Sequence, residues 1–120
     1  MGEVPAYYAL KNSLNVPTAR LGIETGLSDI VDMAKNIGVR SKIKPLPSLS
    51  LGSFELEPMD LARAYTTIAS MGKKKDLHSI YQVKNQKDKL LYEWEPISEQ
   101  VIESDKAAQL VGMMLSLIHI

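Results

Sequence analysis

The sequence predicts an α+β fold, mostly helical with one β-hairpin, and three observations lead there. Apolar residues recur at the three- and four-residue spacing of a helix face in several segments, most of them bounded by Gly, Pro or Ser/Asp start and stop signals. Two runs, Ser79 to Lys84 (SIYQVK) and Leu90 to Trp94 (LLYEW), are instead β-branched or aromatic and bracket a polar stretch from Asn85 to Lys89. None of the 120 residues lies in an apolar run long enough to cross a bilayer, and the length suits one ordinary domain.

The elements follow in order. Ala6 to Asn12 (AYYALKN) predicts a short helix with Tyr7, Leu10 and Leu14 on its apolar face, breaking at Ser13-Leu14-Asn15. Pro17 suits the first position of a second helix, because its missing N–H would have no partner there, and Gly26 ends it. Ser28 and Asp29 signal a third helix over roughly Asp29 to Ile37, with Ile30, Val31, Ala34 and Ile37 inward and Gly38 as the left-handed residue beyond. Pro45 and Pro47 hold an extended stretch, and Ser48 to Phe54 (SLSLGSF) alternates like a short strand or ordered loop. Pro58 opens a fourth helix with Glu55, Glu57 and Asp60 around its positive end; Leu61, Ala64, Tyr65 and Ile68 are its expected buried stripe. Gly72 and Lys73 to Lys75 are expected to close it as a solvated cationic cap. After the hairpin, Ser104 and Asp105 start a last helix with Ala108, Val111, Met114 and Leu115 on one face.

Charge and composition exclude several classes of function. Fourteen cationic and fourteen anionic side chains are interspersed, so a nucleic-acid or anionic-membrane surface is not expected. The absence of cysteine excludes disulfides, thiolate metal sites and a cysteine nucleophile. Gly2 to Pro5 has neither the basic nor the apolar region of a signal peptide, which reads as a cytoplasmic chain or one whose true beginning is missing. The last helix has no glycine, proline or cation to stop it, which reads as a cut C-terminus whose final residues are foreign.

Few residues carry candidate chemistry. His78 and His119 are far apart and match no metal-ligand spacing, so no metal or cofactor is expected. Glu55 and Glu57 are explained by the helix dipole, and Trp94 with Tyr7, Tyr8, Tyr65, Tyr81 and Tyr92 reads as core and hairpin packing. Ser13 and Asn15 are the candidates: a hydroxyl can relay a proton and an amide can both donate and accept, and here both stand at one short turn. The competing reading is that they cap backbone groups where one helix ends and the next begins.

Context favours the first reading. Ala9 to Leu21 (ALKNSLNVPTARL) resembles the stretch around the second active-site motif, SxN, of penicillin-binding proteins, particularly the bifunctional class A enzymes, and Pro47 to Gly72 (PSLSLGSFELEPMDLARAYTTIASMG) resembles a later block of that family. The resemblance covers nearly the whole chain. It implies a partial transpeptidase domain over residues 1–120, part of the serine β-lactamase-like fold, without the regions of the SxxK and KTG motifs. No Ser-x-x-Lys occurs between Met1 and Asn12 and no Lys-Thr-Gly or Lys-Ser-Gly anywhere, so the acylated serine is expected outside the chain. The resemblance further implies a D,D-transpeptidase that cross-links peptidoglycan, with D-Ala-D-Ala stem peptides and β-lactams as partners and a site outside the cytoplasmic membrane. The membrane anchor would lie in a preceding part of the parent. Ser13 would then relay a proton and Asn15 would hold the substrate carbonyl. Two other readings are a transpeptidase-like module that binds cell-wall peptide or a partner protein without turnover, and a complete small helical interaction protein.

Overall fold

A computed structural model describes residues 2–116. The expected fold class stands: five α-helices, a short 3-10 helix and two small antiparallel sheets. The helices are α1 (Ala6–Lys11), α2 (Asn15–Thr25), α3 (Leu27–Asn36), α4 (Pro58–Ala69) and α5 (Ser104–Leu115), and the 3-10 helix spans Pro47–Leu51. The strands are β1 (Lys73–Lys75), β2 (Gln82–Lys84), β3 (Leu90–Glu93) and β4 (Ser98–Gln100). Helix α1 packs on α2 and α5, α2 on α3 and the 3-10 helix, and α4 on α5 and β1.

Helix ends follow the local chemistry, with two shifts. Helix α2 begins at Asn15, so Pro17 is its third residue rather than its first; the N–H groups of the whole first turn lack intrahelical partners, and proline is tolerated there too. Gly26, at φ +104°, ends α2 and also precedes α3, which therefore starts at Leu27 with no Ser28 cap. Gly38 takes the left-handed role expected of it (φ +113°), and the Val39 N–H reaches back to the Ala34 carbonyl at 3.0 Å. The stretch after Pro45 is no strand: Pro47 presets a helical φ, the chain makes one 3-10 segment, and left-handed Gly52 stops it.

The buried stripe of α4 is the main correction. Leu61 and Tyr65 are about half exposed (49% and 52%), whereas Asp60 and Thr67 are fully covered and Ala64 nearly so. The inward face is thus rotated by about one residue, or 100°, from the apolar one, because α4 grips backbone rather than side chains. Asp60 Oδ2 accepts from the Arg40 N–H (3.0 Å), the Ser41 N–H (2.7 Å) and the Ser41 hydroxyl (2.6 Å), and Oδ1 from Arg63 (2.8 Å). One α-turn pair further along, the Thr67 hydroxyl lies 3.1 Å from the Ile37 carbonyl. A segment leaving a helix carries unpaired N–H and C=O groups, and a polar face satisfies them where an apolar one would bury them unpaired. The same one-residue offset appears in α5, where Ala107 is buried while Ala108 and Leu115 are exposed. In α1 the buried residue is Ala9 and Tyr7 faces out.

The three lysines after α4 are strand β1, not a cap. They pair antiparallel with β4, Lys74 opposite Glu99, with the two side chains 3.8 Å apart. Consecutive like charges disfavour a strand until a partner of opposite sign is opposite, and Glu99 lies 25 residues on. The hairpin forms as expected but shorter, β2 with β3, nested between β1 and β4. Its turn is fixed by Asn85, whose Oδ1 accepts from the Lys87 and Lys89 N–H groups at 2.8 and 3.0 Å. Of the aromatics expected in core and hairpin packing, Tyr7, Tyr8 and Tyr65 are exposed rather than in a core, Tyr92 lies on hairpin strand β3 opposite Val83, and His78 stacks on Trp94 with ring centroids 3.6 Å apart.

Candidate active site

Ser-Leu-Asn is the joint between α1 and α2, and main-chain bonds close it. The Ser13 N–H donates to the Leu10 carbonyl at 3.0 Å and the Leu14 N–H to the Ala9 carbonyl at 2.9 Å, the double closure that requires a left-handed residue between them. That residue is Ser13, at φ +51°. Glycine is usual there, and a residue with a Cβ costs on the order of 1 kcal/mol more in this conformation. Ser13 shares this left-handed conformation with Met71 and Asp88, at φ +55° and +58°.

Asn15 is the first residue of α2, so Ser13 and Asn15 flank a single intervening residue on the outside of the joint, both exposed. Among the described residues neither the Ser13 nor the Asn15 side chain makes a capping bond to backbone. Neither α1 nor α2 has a side-chain cap at its start, and the polar side chains that serve the backbone here are Asn12, donating to the Tyr8 carbonyl at 2.9 Å, and Thr18, whose hydroxyl donates to the Leu14 carbonyl at 2.7 Å. Asn15 lines an open groove of about 800 Å³, with Glu3, Ala9, Leu21 and the ion-paired Arg20 and Glu24 (2.9 Å) on its walls; Ser13 lies outside that lining.

Ser-x-x-Lys spacing does occur downstream, at Ser41 to Lys44 and Ser70 to Lys73, but neither segment is helical across the motif. Ser41 moreover spends its hydroxyl on Asp60 at 2.6 Å. Among the described residues no group of three or more His, Asp or Glu side chains could hold a metal ion, and no helix is long and apolar enough to cross a membrane; His119 and the final residues lie outside the described range.

Sequence reasoning missed Asp60, the most heavily hydrogen-bonded carboxylate. The Ser41 hydroxyl holds its carboxyl below the usual range; burial opposes this, and the Ser41 and Arg40 N–H groups and the Arg63 charge reinforce it. The only signal was an acidic residue in a helix first turn, which the dipole already explained.

No family model matches the chain. It is 40% identical over 107 residues to penicillin-binding protein 1B of Vibrio cholerae, a match spanning 88% of this chain and 14% of that protein. Penicillin-binding protein 1B of Escherichia coli K12 is 34% identical over 107 residues, spanning 88% of this chain and 13% of that protein, and penicillin-binding protein 1A of Rickettsia felis is 34% identical over 92 residues, spanning 77% and 12%. The chain thus spans about one seventh of the length of these relatives or slightly less. In fold it is similar to penicillin-binding protein A of Mycobacterium tuberculosis, with a TM-score of 0.84 at 21% identity over 97% of this chain and 32% of that one. A second structure of that protein, an imipenem acyl-enzyme complex, gives a TM-score of 0.81 at 20% identity. Two matching sequence blocks in order, identity of this level over most of the chain and a common fold converge on one conclusion: the chain belongs to the penicillin-binding proteins and is similar to a segment of their class A members 1A and 1B.

Proposed function

We propose that this chain is part of a serine-type D,D-transpeptidase that cross-links peptidoglycan and is acylated by penicillins. The observation that carries the reading is Ser13, held left-handed beside exposed Asn15, with neither side chain hydrogen-bonded to backbone among the described residues. In the proposed reaction a serine supplied from outside these 120 residues attacks the carbonyl of a D-Ala-D-Ala stem peptide. The C–N bond breaks and the terminal D-alanine leaves with a proton; an amine of a neighbouring strand then attacks the ester and releases the serine. Ser13 relays the proton to the departing nitrogen and takes it from the attacking one, and Asn15 donates its amide N–H to the substrate carbonyl. No step requires a metal or cofactor. The parent enzyme acts outside the cytoplasmic membrane, where its substrate lies.

The test uses full-length Vibrio cholerae penicillin-binding protein 1B carrying the 107 matching residues of this chain, acylated with a fluorescent penicillin. Ser13→Ala and Asn15→Ala should each slow acylation by about 100-fold, the usual scale of a lost acid–base or positioning group. Ser13→Gly should do the same while raising the unfolding midpoint, because it removes hydroxyl and strain together. Unchanged acylation in both alanine variants would refute these roles.

A further inference from the structure

We infer that the contact between Gly22 and Ser50 is the seat that positions Asn15, which makes both of them positioning residues for the proposed acylation; this rests on the reading of Asn15 given above. Gly22 is the buried residue of α2, and it lies against Ser50 of the 3-10 helix, the element on which α2 rests. A Cβ at position 22 would overlap Ser50 Oγ, stand 2.8 Å from Ser50 Cβ and touch Ile30 Cδ1 at 3.6 Å. The backbone of Gly22 is ordinary helix, so glycine is required here by space alone. Ser50 Oγ is buried and has no hydrogen-bond partner among the described residues. Nothing polar therefore holds that side chain, and what it contributes to the contact is its size.

Asn15 and Gly22 are seven residues apart on α2, which puts them on nearly the same face, about 10 Å apart along the axis. A displacement at Gly22 is thus carried up a rigid helix to Asn15. Rotating Ser50 Oγ aside relieves only the first overlap; a carbon–carbon approach of 2.8 Å remains. Carbon atoms settle at roughly 3.5–4 Å, so α2 must lift by about 1 Å. A misplacement of that size lowers a rate by about 10- to 100-fold when the displaced group orients substrate.

The same full-length relative carrying the matching residues decides the matter, read by acylation rate with a fluorescent penicillin and by thermal midpoint. Gly22→Ala is expected to slow acylation at least tenfold. Adding Ser50→Ala should not restore it, because Cβ remains, whereas adding Ser50→Gly should bring the rate back to within about threefold of the parent, as expected when two substitutions share one contact. A purely structural defect would lower the midpoint and leave the folded Gly22→Ala variant at the parental rate, whereas a displaced Asn15 slows acylation in a variant that is still folded. If Gly22→Ala fails to fold, the Gly22→Ala/Ser50→Gly pair still decides, and a slow pair overturns the proposal, as does a Gly22→Ala variant at parental rate. Normal rates in Ser13→Ala and Asn15→Ala alongside a slow, glycine-rescued Gly22→Ala would overturn the roles of the motif while leaving the packing pair as a determinant of acylation.

Discussion

At the scale of single residues, two side chains define the molecule. Ser13 is a serine in a conformation glycine favours, at φ +51°. Asp60 is a charge with its whole hydrogen-bonding capacity directed at one bend of backbone, Arg40 to Ser41, and at Arg63. Its carboxyl is held below the ordinary range in the folded chain, so the unfolded chain binds more protons as acid is added. Its contribution to stability is therefore fully present above the unfolded carboxylate value of about 3.9 and is lost as pH falls below it toward the lower folded value. Asp60→Asn should lower stability at neutral pH and flatten that acid-side loss, read by urea unfolding of the chain between pH 2 and 7. An unchanged acid slope would show that other carboxylates set it. The place of Ser13 and Asn15 at the joint between two helices was legible in the sequence; the contacts of Asp60 were not, because its partners lie 19 and 20 residues away.

Individual elements are decided by their ends. Helix α4 stops because Met71 and Gly72 turn left-handed, at φ +55° and +83°, and the chain leaves directly into β1. The Gly72 carbonyl accepts the Val101 N–H at 2.9 Å, which ties the start of β1 to the end of β4. A Cβ at position 72 would overlap the Ile102 carbonyl oxygen, a backbone atom that cannot rotate aside. Gly72→Ala should thus cost about 3 kcal/mol or more, combining left-handed strain with a backbone clash. Hydrogen exchange should show the β1–β4 amides losing protection while β2–β3 keeps theirs, and equal loss in both sheets would contradict this account. The hairpin β2–β3 was readable from its residues, since Asn85 supplies the turn locally. Strand β1 was not: three lysines form a strand only when β4 returns to pair with them.

The whole molecule is extended and lightly cored. Its radius of gyration is 18.0 Å, against about 14 Å for a compact chain of this length. Among the described residues the buried apolar side chains are Ala9, Val31, Val39, Ala64 and Ala107, three of the five alanine, while Leu61, Tyr65, Leu91 and Ile97 are exposed. So small a core leaves a narrow margin over chain entropy. The 120-residue chain alone should bind a hydrophobic dye and unfold over a broad range of urea, and a sharp transition without dye binding would contradict this picture. By itself the sequence determined the fold class, most helix boundaries to within two residues, the hairpin and the turn that presents Ser13 and Asn15. Each of these depends on neighbours in the chain: helical spacing, a proline or glycine, an asparagine turn. Only the tertiary structure decided which face of α4 and α5 turns inward, that three lysines make a strand, that Asp60 clamps the bend after α3, and that Gly22 admits Ser50. These follow from contacts between distant segments, where a buried backbone group or a crowded Cα outweighs the apolar pattern of the helix that meets it.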